Sequence, residues 1–455
     1  VAIESVNPAT GEKIRSYAEM SGPEVSRRLQ KAQDYYGTWK NFGFDRRASF
    51  FRTAAEHLRV KKDDYAKLMA LEMGKPFAQG QKEANKCAWV CEFYAENAEK
   101  FLSPEIVETD ASKSYVAFEP LGIILAVMPW NFPFWQVFRA AVPAMMAGNV
   151  VVLKHASNVP GCAEMIEKIL LESGLPEGGF TNLAVETSRV PDLIAHPFIK
   201  AVTLTGSVAA GKAVASKAGS ELKKVVLELG GSDPYVILED ADLEQAVSLC
   251  GEARLLNTGQ SCVAAKRFIV VGSVYEKFLA GLLEYMKKQK MGDPMEEGVT
   301  VGPMARADLR DEIHRQVERS VKKGAKLVMG GRIPERAGAF YPPTVLADVK
   351  KGMPAFDEEI FGPVAAVIRA RDEREAIALA NDSFFGLGAA VFTRDVEKGE
   401  RIAREELKAG CSFVNAYVKS DPRLPFGGVE QSGYGRELGI FGIREFVNIK
   451  TVYVK

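Results

Sequence analysis

The sequence predicts an α/β protein with two domains, each built on a largely parallel sheet. Three observations carry this reading. Apolar strand-like runs alternate with helical patterns from about 116 to 240, a second alternation starts near 232, and 455 residues exceed one core of ordinary size. Helical periodicity fills residues 24–100, most clearly over Asp45–His57 and Glu83–Phe101. The first alternation places strands at 123–127, 150–153, 180–183, 201–205 and 224–229. The second gives a strand at 234–238, a helix at 242–256, a strand at 268–271 and a helix at 274–289. Further strands are expected at 326–329, 342–346, 363–369, 389–392 and 411–414. Residues 121–153 are apolar enough to suggest a membrane span, but Pro129, Pro133 and Pro143 interrupt them. They divide better into a strand, a loop, a helix over about 134–147 and a second strand. The run Val447–Val454 reads as an exposed strand with no partner nearby in sequence, an invitation to pair with another chain.

Lys plus Arg and Asp plus Glu both number 59, so the net charge is zero and gives no reason to expect nucleic acid or an anionic membrane as a partner. Six cysteines are sparse and show no paired framework, which fits reduced thiols and a cytoplasmic location. Cys87 and Cys91 are four apart in a helical stretch, but none of the four histidines has companion ligand spacing. Both cysteines are read as packing residues, and no metal is expected. Nothing in the opening residues reads as a signal or transit segment.

The most informative stretch is Asn257-Thr258-Gly259-Gln260-Ser261-Cys262, between the 242–256 helix and the 268–271 strand. A cysteine in such a glycine-containing loop is open to substrate, and nearby backbone N–H groups can favour its thiolate. The bland alternative is a small buried hydrophobe, but the flanking turn formers argue against burial. Glu228 lies in the apolar run Val225–Leu229 before Gly230-Gly231. A carboxylate there is either paired or pushed to a raised pKa, and a raised pKa suits a general base near neutral pH. The domain junction at Gly230-Gly231 falls between Glu228 and Cys262, which suits a site in an interdomain cleft. Gly206-Ser207-Val208-Ala209-Ala210-Gly211-Lys212 has the spacing of a P-loop start, but Ala213 stands where a magnesium-binding hydroxyl belongs. A phosphate contact by Gly206 and Ser207 and a plain helix start both remain open. A nucleotide phosphotransferase is disfavoured, whereas a dinucleotide, which needs no metal, fits.

Together these residues resemble the NAD(P)-dependent aldehyde dehydrogenases. The resemblance runs from Asn7-Pro8-Ala9-Thr10-Gly11 to Phe446. It passes in the family's order through Pro129-Trp130-Asn131-Phe132-Pro133, Gly148–Lys154, Thr205-Gly206-Ser207, Glu228-Leu229-Gly230-Gly231, Gly259-Gln260-Ser261-Cys262, Glu358–Val364 and Pro425-Phe426-Gly427-Gly428. It implies a Rossmann-type cofactor domain over 1–105 and 120–230, an α/β catalytic domain over 231–430, and a small β platform of oligomerisation strands at 106–119 and 445–455, in a homodimer or homotetramer. It implies that Cys262 attacks the aldehyde carbon, that Asn131 and the Cys262 backbone N–H hold the oxyanion, and that Glu228 activates water against the thioester. It sets Trp130, Lys154, Ser157, Gly206, Ser207, Leu229, Glu359 and Phe361 against the cofactor, and Phe426 against the aldehyde.

Two departures from the family pattern carry information. The family often reads Lys-Pro-Ser-Glu where this chain has Lys154-His155-Ala156-Ser157. Ser157 removes a carboxylate that would repel a 2′-phosphate, so NADP is expected as the preferred cofactor, with NAD as the alternative. Val263 directly follows Cys262, so no disulfide to an adjacent cysteine can form there. Trp135 and Arg139 are four apart and share a helix face after the oxyanion loop. Arg139 is either a clamp for a carboxylate at the far end of the substrate or part of a structural ion pair. Within the family, an arginine eight residues after this asparagine resembles the succinate-semialdehyde dehydrogenases, which implies succinate semialdehyde as substrate. Lys419, Ser420 and Arg423 add expected contacts. Another semialdehyde, or an uncharged aliphatic aldehyde, is the rival substrate.

Overall fold

Ile123–Met128 is an apolar, largely buried run set between Gly122 and Pro129. It forms the middle of a six-stranded sheet, as strands buried on both faces do. The order is Gly433–Tyr434, Lys224–Glu228, Ile199–Thr205, Ile123–Met128, Val150–His155, Phe180–Asn182, parallel except for the short first strand. In chain order the five parallel strands are arranged 3-2-1-4-5, so the direction of winding reverses beside Ile123–Met128. In such sheets ligands bind outside the carboxyl ends of the strands at that reversal. Trp130-Asn131 and Gly206-Ser207 follow the two strands that flank it. The structure is a computed structural model and describes residues 2–455.

A second sheet has the order Lys326–Met329, Thr344–Ala347, Val364–Ala370, Arg267–Val271, Pro234–Ile237, Gly388–Phe392, Cys411–Val414. It is parallel except for the outermost pair, Lys326–Met329 with Thr344–Ala347. Its two faces feed separate cores: Val236 enters one, while Tyr235 and Ile237 enter the other, the period-two alternation of a strand. The amino-terminal helices Gly22–Trp39, Phe44–Val60, Lys62–Met73 and Phe77–Leu102 pack into the core of the first sheet. Phe426, Leu438, Ile443 and Phe446 belong to that same core, so the chain returns to it after the second sheet.

Val447–Val454 has no partner nearby in sequence, and the resemblance sets it with 106–119 in one β platform. It pairs antiparallel along its length with Lys113–Pro120, which in turn pairs with Glu105–Ile106. The partner lies more than 300 residues earlier in the chain, beyond the reach of any local pattern. The strand stands at the edge of this three-stranded sheet, with Ile449, Tyr453 and Val454 exposed.

Candidate active site

The loop that carries Cys262 is built under strain. Helix Leu243–Leu255 runs into a single turn, Leu256–Gly259, where Asn257 and Thr258 adopt left-handed backbone angles (φ 53° and 58°). Such angles persist in non-glycine residues only when the surroundings over-determine them. Here the Asn257 N–H donates to Gln79 Oε1 at 2.7 Å, and Asn257 Nδ2 donates to the Asn131 carbonyl at 2.6 Å. Arg254 donates to the carbonyls of Gly259 and Ala265, and Gln260 Oε1 accepts from the Ala305 N–H at 2.9 Å. Lys266 Nζ reaches back to the Ser261 and Cys262 carbonyls and forms a 3.1 Å ion pair with Glu359.

The Cys262 thiol is half-buried. Burial pushes its pKa up to about 12, with Arg139 and Lys266 pulling the other way and Glu359 and Glu228 adding to the rise. The sequence expectation that the loop favours a thiolate therefore fails for this state: desolvation outweighs the nearby donors. Glu228, at the carboxyl end of its strand, is fully enclosed, and neither carboxylate oxygen has a hydrogen-bond partner among the described residues. Burial, then repulsion from Glu437, raises its pKa well above the usual carboxylate range. Gly427 leaves room for it, since a Cβ there would lie 2.7 Å from Glu228 Oε1. Asn131 is buried, and its Nδ2 donates to the Gln260 carbonyl at 3.2 Å. That leaves the second amide hydrogen uncommitted, and Oδ1 is unpartnered.

Cys262 opens onto a cavity of about 380 Å³, within the range of small-molecule sites. Trp135, Arg139, Ser420 and Phe426 line it with Cys262, as do Lys419 and Arg423. Trp135 Nε1 donates to Ser420 Oγ at 3.1 Å. Of the two roles weighed for Arg139, the ion pair is present: its guanidinium meets the Glu437 carboxylate, lies over the Phe426 ring at 4.8 Å and donates to Thr205 Oγ1 at 3.3 Å. Glu83, on the helix Phe77–Leu102, accepts the N–H groups of Phe134 and Trp135, both at 2.9 Å, and pairs with the buried Lys75. It thereby caps the helix Trp135–Met146, whose own first residues offer no capping side chain.

None of the residues that the resemblance sets against a cofactor lines the cavity at Cys262. Trp130 and Phe361 meet edge to face, 5.8 Å between centroids. Glu359 Oε1 accepts the Gly231 N–H at 3.1 Å, and Glu359 occupies the space over Gly230, where a Cβ would stand 2.1 Å from Oε2. Lys154 is buried, its Nζ donates to Thr187 Oγ1 at 2.9 Å, and burial lowers its pKa. Ser157 is exposed at the rim of a small pocket shared with His155 and Glu164. Ser207 caps the helix Val208–Ser220 by accepting the Ala210 N–H, and a Cβ on Gly206 would meet nothing nearer than 3.6 Å. Gly211, the second glycine of the P-loop-like spacing, instead packs under Leu229, at 2.5 Å from a Cβ to Leu229 Cδ1. Helix packing thus explains that glycine without a triphosphate. No group of three or more His, Cys, Asp or Glu side chains among the described residues is arranged to hold a metal ion, and no helix among them is long and apolar enough to cross a membrane.

The aldehyde dehydrogenase family profile matches residues 1–452. The chain belongs to the aldehyde dehydrogenase family. It is 49% identical to a probable succinate-semialdehyde dehydrogenase [NADP(+)] of Synechocystis over all of both chains. It is 46% identical to a succinate semialdehyde dehydrogenase [NAD(P)+] of Escherichia coli K12, over 99% of this chain and 97% of that one. The crystal structure of succinic semialdehyde dehydrogenase from Streptococcus pyogenes, in complex with NADP+, superposes with a TM-score of 0.97 over all of both chains at 38% identity. This aldehyde dehydrogenase also carries residues at its site that the sequence reading passed over: Lys86, Glu83, Lys266, Asp233 and Glu437. Asp233 is buried near Lys266, and burial lifts its pKa to about 7. A charged residue inside a helical or apolar run was the only available signal for these, and it did not say which partner each would meet.

Proposed function

We propose that the protein oxidises a short aldehyde bearing a second, remote carboxylate, succinate semialdehyde foremost, to the dicarboxylate with NADP. One observation carries the substrate reading. The cavity at Cys262 is lined by five cationic side chains, Lys82, Lys86, Arg139, Lys419 and Arg423, against two carboxylates, Glu83 and Asp421, a balance that favours an anionic guest. The relatives named for succinate semialdehyde and NADP(+) support it.

The cofactor reading rests on the residues that would hold it. Gly206 and Ser207 open a helix at the sheet's reversal point, where a pyrophosphate is received by backbone N–H groups. Glu359, lodged over Gly230, would accept ribose hydroxyls. Lys154 is a buried cation with no carboxylate partner among the described residues, and Ser157 offers a hydroxyl where an acid would repel a 2′-phosphate. When bound, the nicotinamide supplies the hydride acceptor. Cys262, once deprotonated, adds to the aldehyde carbon. The second N–H of Asn131 Nδ2 and the Cys262 backbone N–H receive the oxyanion. Loss of hydride leaves a thioester on Cys262. Glu228 takes a proton from the attacking water, and the carboxylate product leaves with the thiol restored. The exposed edge strand Val447–Val454 supports assembly into a homodimer or a dimer of dimers, and six unpaired thiols suit a cytoplasmic setting.

The test is a panel of succinate semialdehyde, glutarate semialdehyde and butyraldehyde with NADP and NAD, followed by the absorbance of the reduced nicotinamide. The expected result is the highest kcat/KM with succinate semialdehyde and NADP. Equal or better turnover of butyraldehyde overturns the substrate reading, and a preference for NAD overturns the cofactor reading.

A further inference from the structure

The backbone N–H set against the oxyanion is one half of a peptide group, and a buried cation holds the other half. The peptide between Ser261 and Cys262 carries the Ser261 carbonyl at one end and the Cys262 N–H at the other. The carbonyl accepts two donors, the Ala264 N–H at 3.2 Å and Lys266 Nζ at 3.0 Å. The N–H meets no acceptor among the described residues. Lys266 Nζ also donates to the Cys262 carbonyl, so one ammonium grips the peptides on both sides of the thiol. Its side chain is 2% exposed, and the residue directly precedes the strand Arg267–Val271. Glu359 balances the charge at 3.1 Å, but that carboxylate is 21% exposed and also accepts the Gly231 N–H.

We propose that Lys266 is a positioning residue of the reaction: by holding the Ser261 carbonyl it fixes the Ser261–Cys262 peptide and makes the Cys262 N–H a stronger donor to the oxyanion. The assignment rests on the oxyanion reading above. A peptide group is planar, so a bond that fixes the direction of its carbonyl fixes its N–H as well. A cation on the carbonyl draws electron density from the amide nitrogen, and hydrogen bonds in series reinforce one another where water is excluded. Donors fixed before the charge develops need no reorganisation when it appears. A role confined to neutralising Glu359 would call for neither carbonyl contact. Lys266 acts on the thiol too: after Arg139, it opposes the burial that pushes the Cys262 pKa up to about 12. The test therefore separates ionisation of the thiol from stabilisation of the oxyanion.

The experiment compares two cofactor-free reactions of Cys262 at one pH: acylation by p-nitrophenyl acetate, read as release of p-nitrophenolate, and alkylation by iodoacetamide. Both need the thiolate, but only the ester passes through a tetrahedral oxyanion. The ratio of the two rate constants therefore reads the oxyanion donors with the ionisation cancelled. Asn131→Ala, which removes the other donor, is expected to lower the ratio and calibrates it. Lys266→Met should lower it about tenfold or more, short of the roughly 10²–10³ lost with a whole oxyanion donor. Lys266→Arg should restore a large part, because a guanidinium stays charged and keeps its donors. Lys266→Met combined with Glu359→Gln removes both charges and strands neither, so it keeps the fold if the single variant does not, and its ratio should stay low. An Asn131→Ala ratio equal to that of the wild type overturns the oxyanion reading, and this assignment with it. A lowered Asn131→Ala ratio, beside an unchanged ratio without the lysine or no recovery in Lys266→Arg, overturns the assignment alone.

Discussion

Cys262 is held as a thiol by its surroundings, and that has a measurable sign. With its pKa pushed up to about 12, the thiolate fraction in the apo protein rises about tenfold per unit through pH 7 to 9. Alkylation by iodoacetamide should follow that slope, and a plateau below pH 9 would show that the thiol ionises far lower. Glu228 gives the complementary prediction. Replacing it by Gln keeps the volume and removes the base, so deacylation should slow by about 10²–10⁴-fold, the usual worth of a general base. An acylated Cys262 should then accumulate behind a burst of reduced cofactor, and mass spectrometry that finds no acyl-enzyme would dismiss the role. Ser157→Glu should shift kcat/KM from NADP toward NAD, because two like charges about 4 Å apart cost about 1 kcal/mol even in water. An unchanged cofactor ratio would clear Ser157 of any role in the choice. Cys262 and Glu228 stand out in the sequence because each breaks a local expectation, a thiol among turn formers and an acid in an apolar strand, whereas Asn131 is singled out by the family resemblance. Lys86 and Lys266 do not stand out. Lysines in a helix or beside a loop are ordinary, and the Ser420 hydroxyl that Lys86 meets lies 334 residues away.

Among the elements, the parallel strands could be read to within a few residues, since apolar runs bounded by Gly and Pro leave few alternatives. The sequence did not reveal how elements far apart complete one another. The helix Trp135–Met146 is capped by Glu83 of another helix, and the charge of Glu83 is balanced by Lys75, itself buried. Glu83→Ala would leave Lys75 without its counter-ion and two N–H groups without an acceptor. The expected loss is about 3–5 kcal/mol, the scale for removing one member of a buried pair, and urea unfolding measures it. A loss under about 1 kcal/mol would mean that water replaces the carboxylate at little cost. The strand Val447–Val454 gives the same lesson in β structure. Its exposed pattern was evident, but no local pattern points to its partner Lys113–Pro120, and only the family resemblance set 106–119 beside it in one platform.

At the scale of the whole molecule, the edge of the three-stranded sheet predicts association. Val447–Val454 exposes Ile449, Tyr453 and Val454 beside unpaired backbone groups, and sedimentation should find a dimer or tetramer. A monomer at every concentration would remove that edge from consideration. The two ends of the proposed reaction also belong to different sheets: Glu228 finishes a strand of the first, while the Cys262 loop precedes Arg267–Val271 of the second. The chemistry therefore acts as a vernier on the alignment of the two bodies, and a small rotation between them misplaces the base while every helix survives. In rising urea, turnover should fade at concentrations where the far-ultraviolet circular dichroism has not yet moved, because seams between units open before the units themselves melt. Coincident loss of both signals would mean that the seam is as cooperative as the cores it joins.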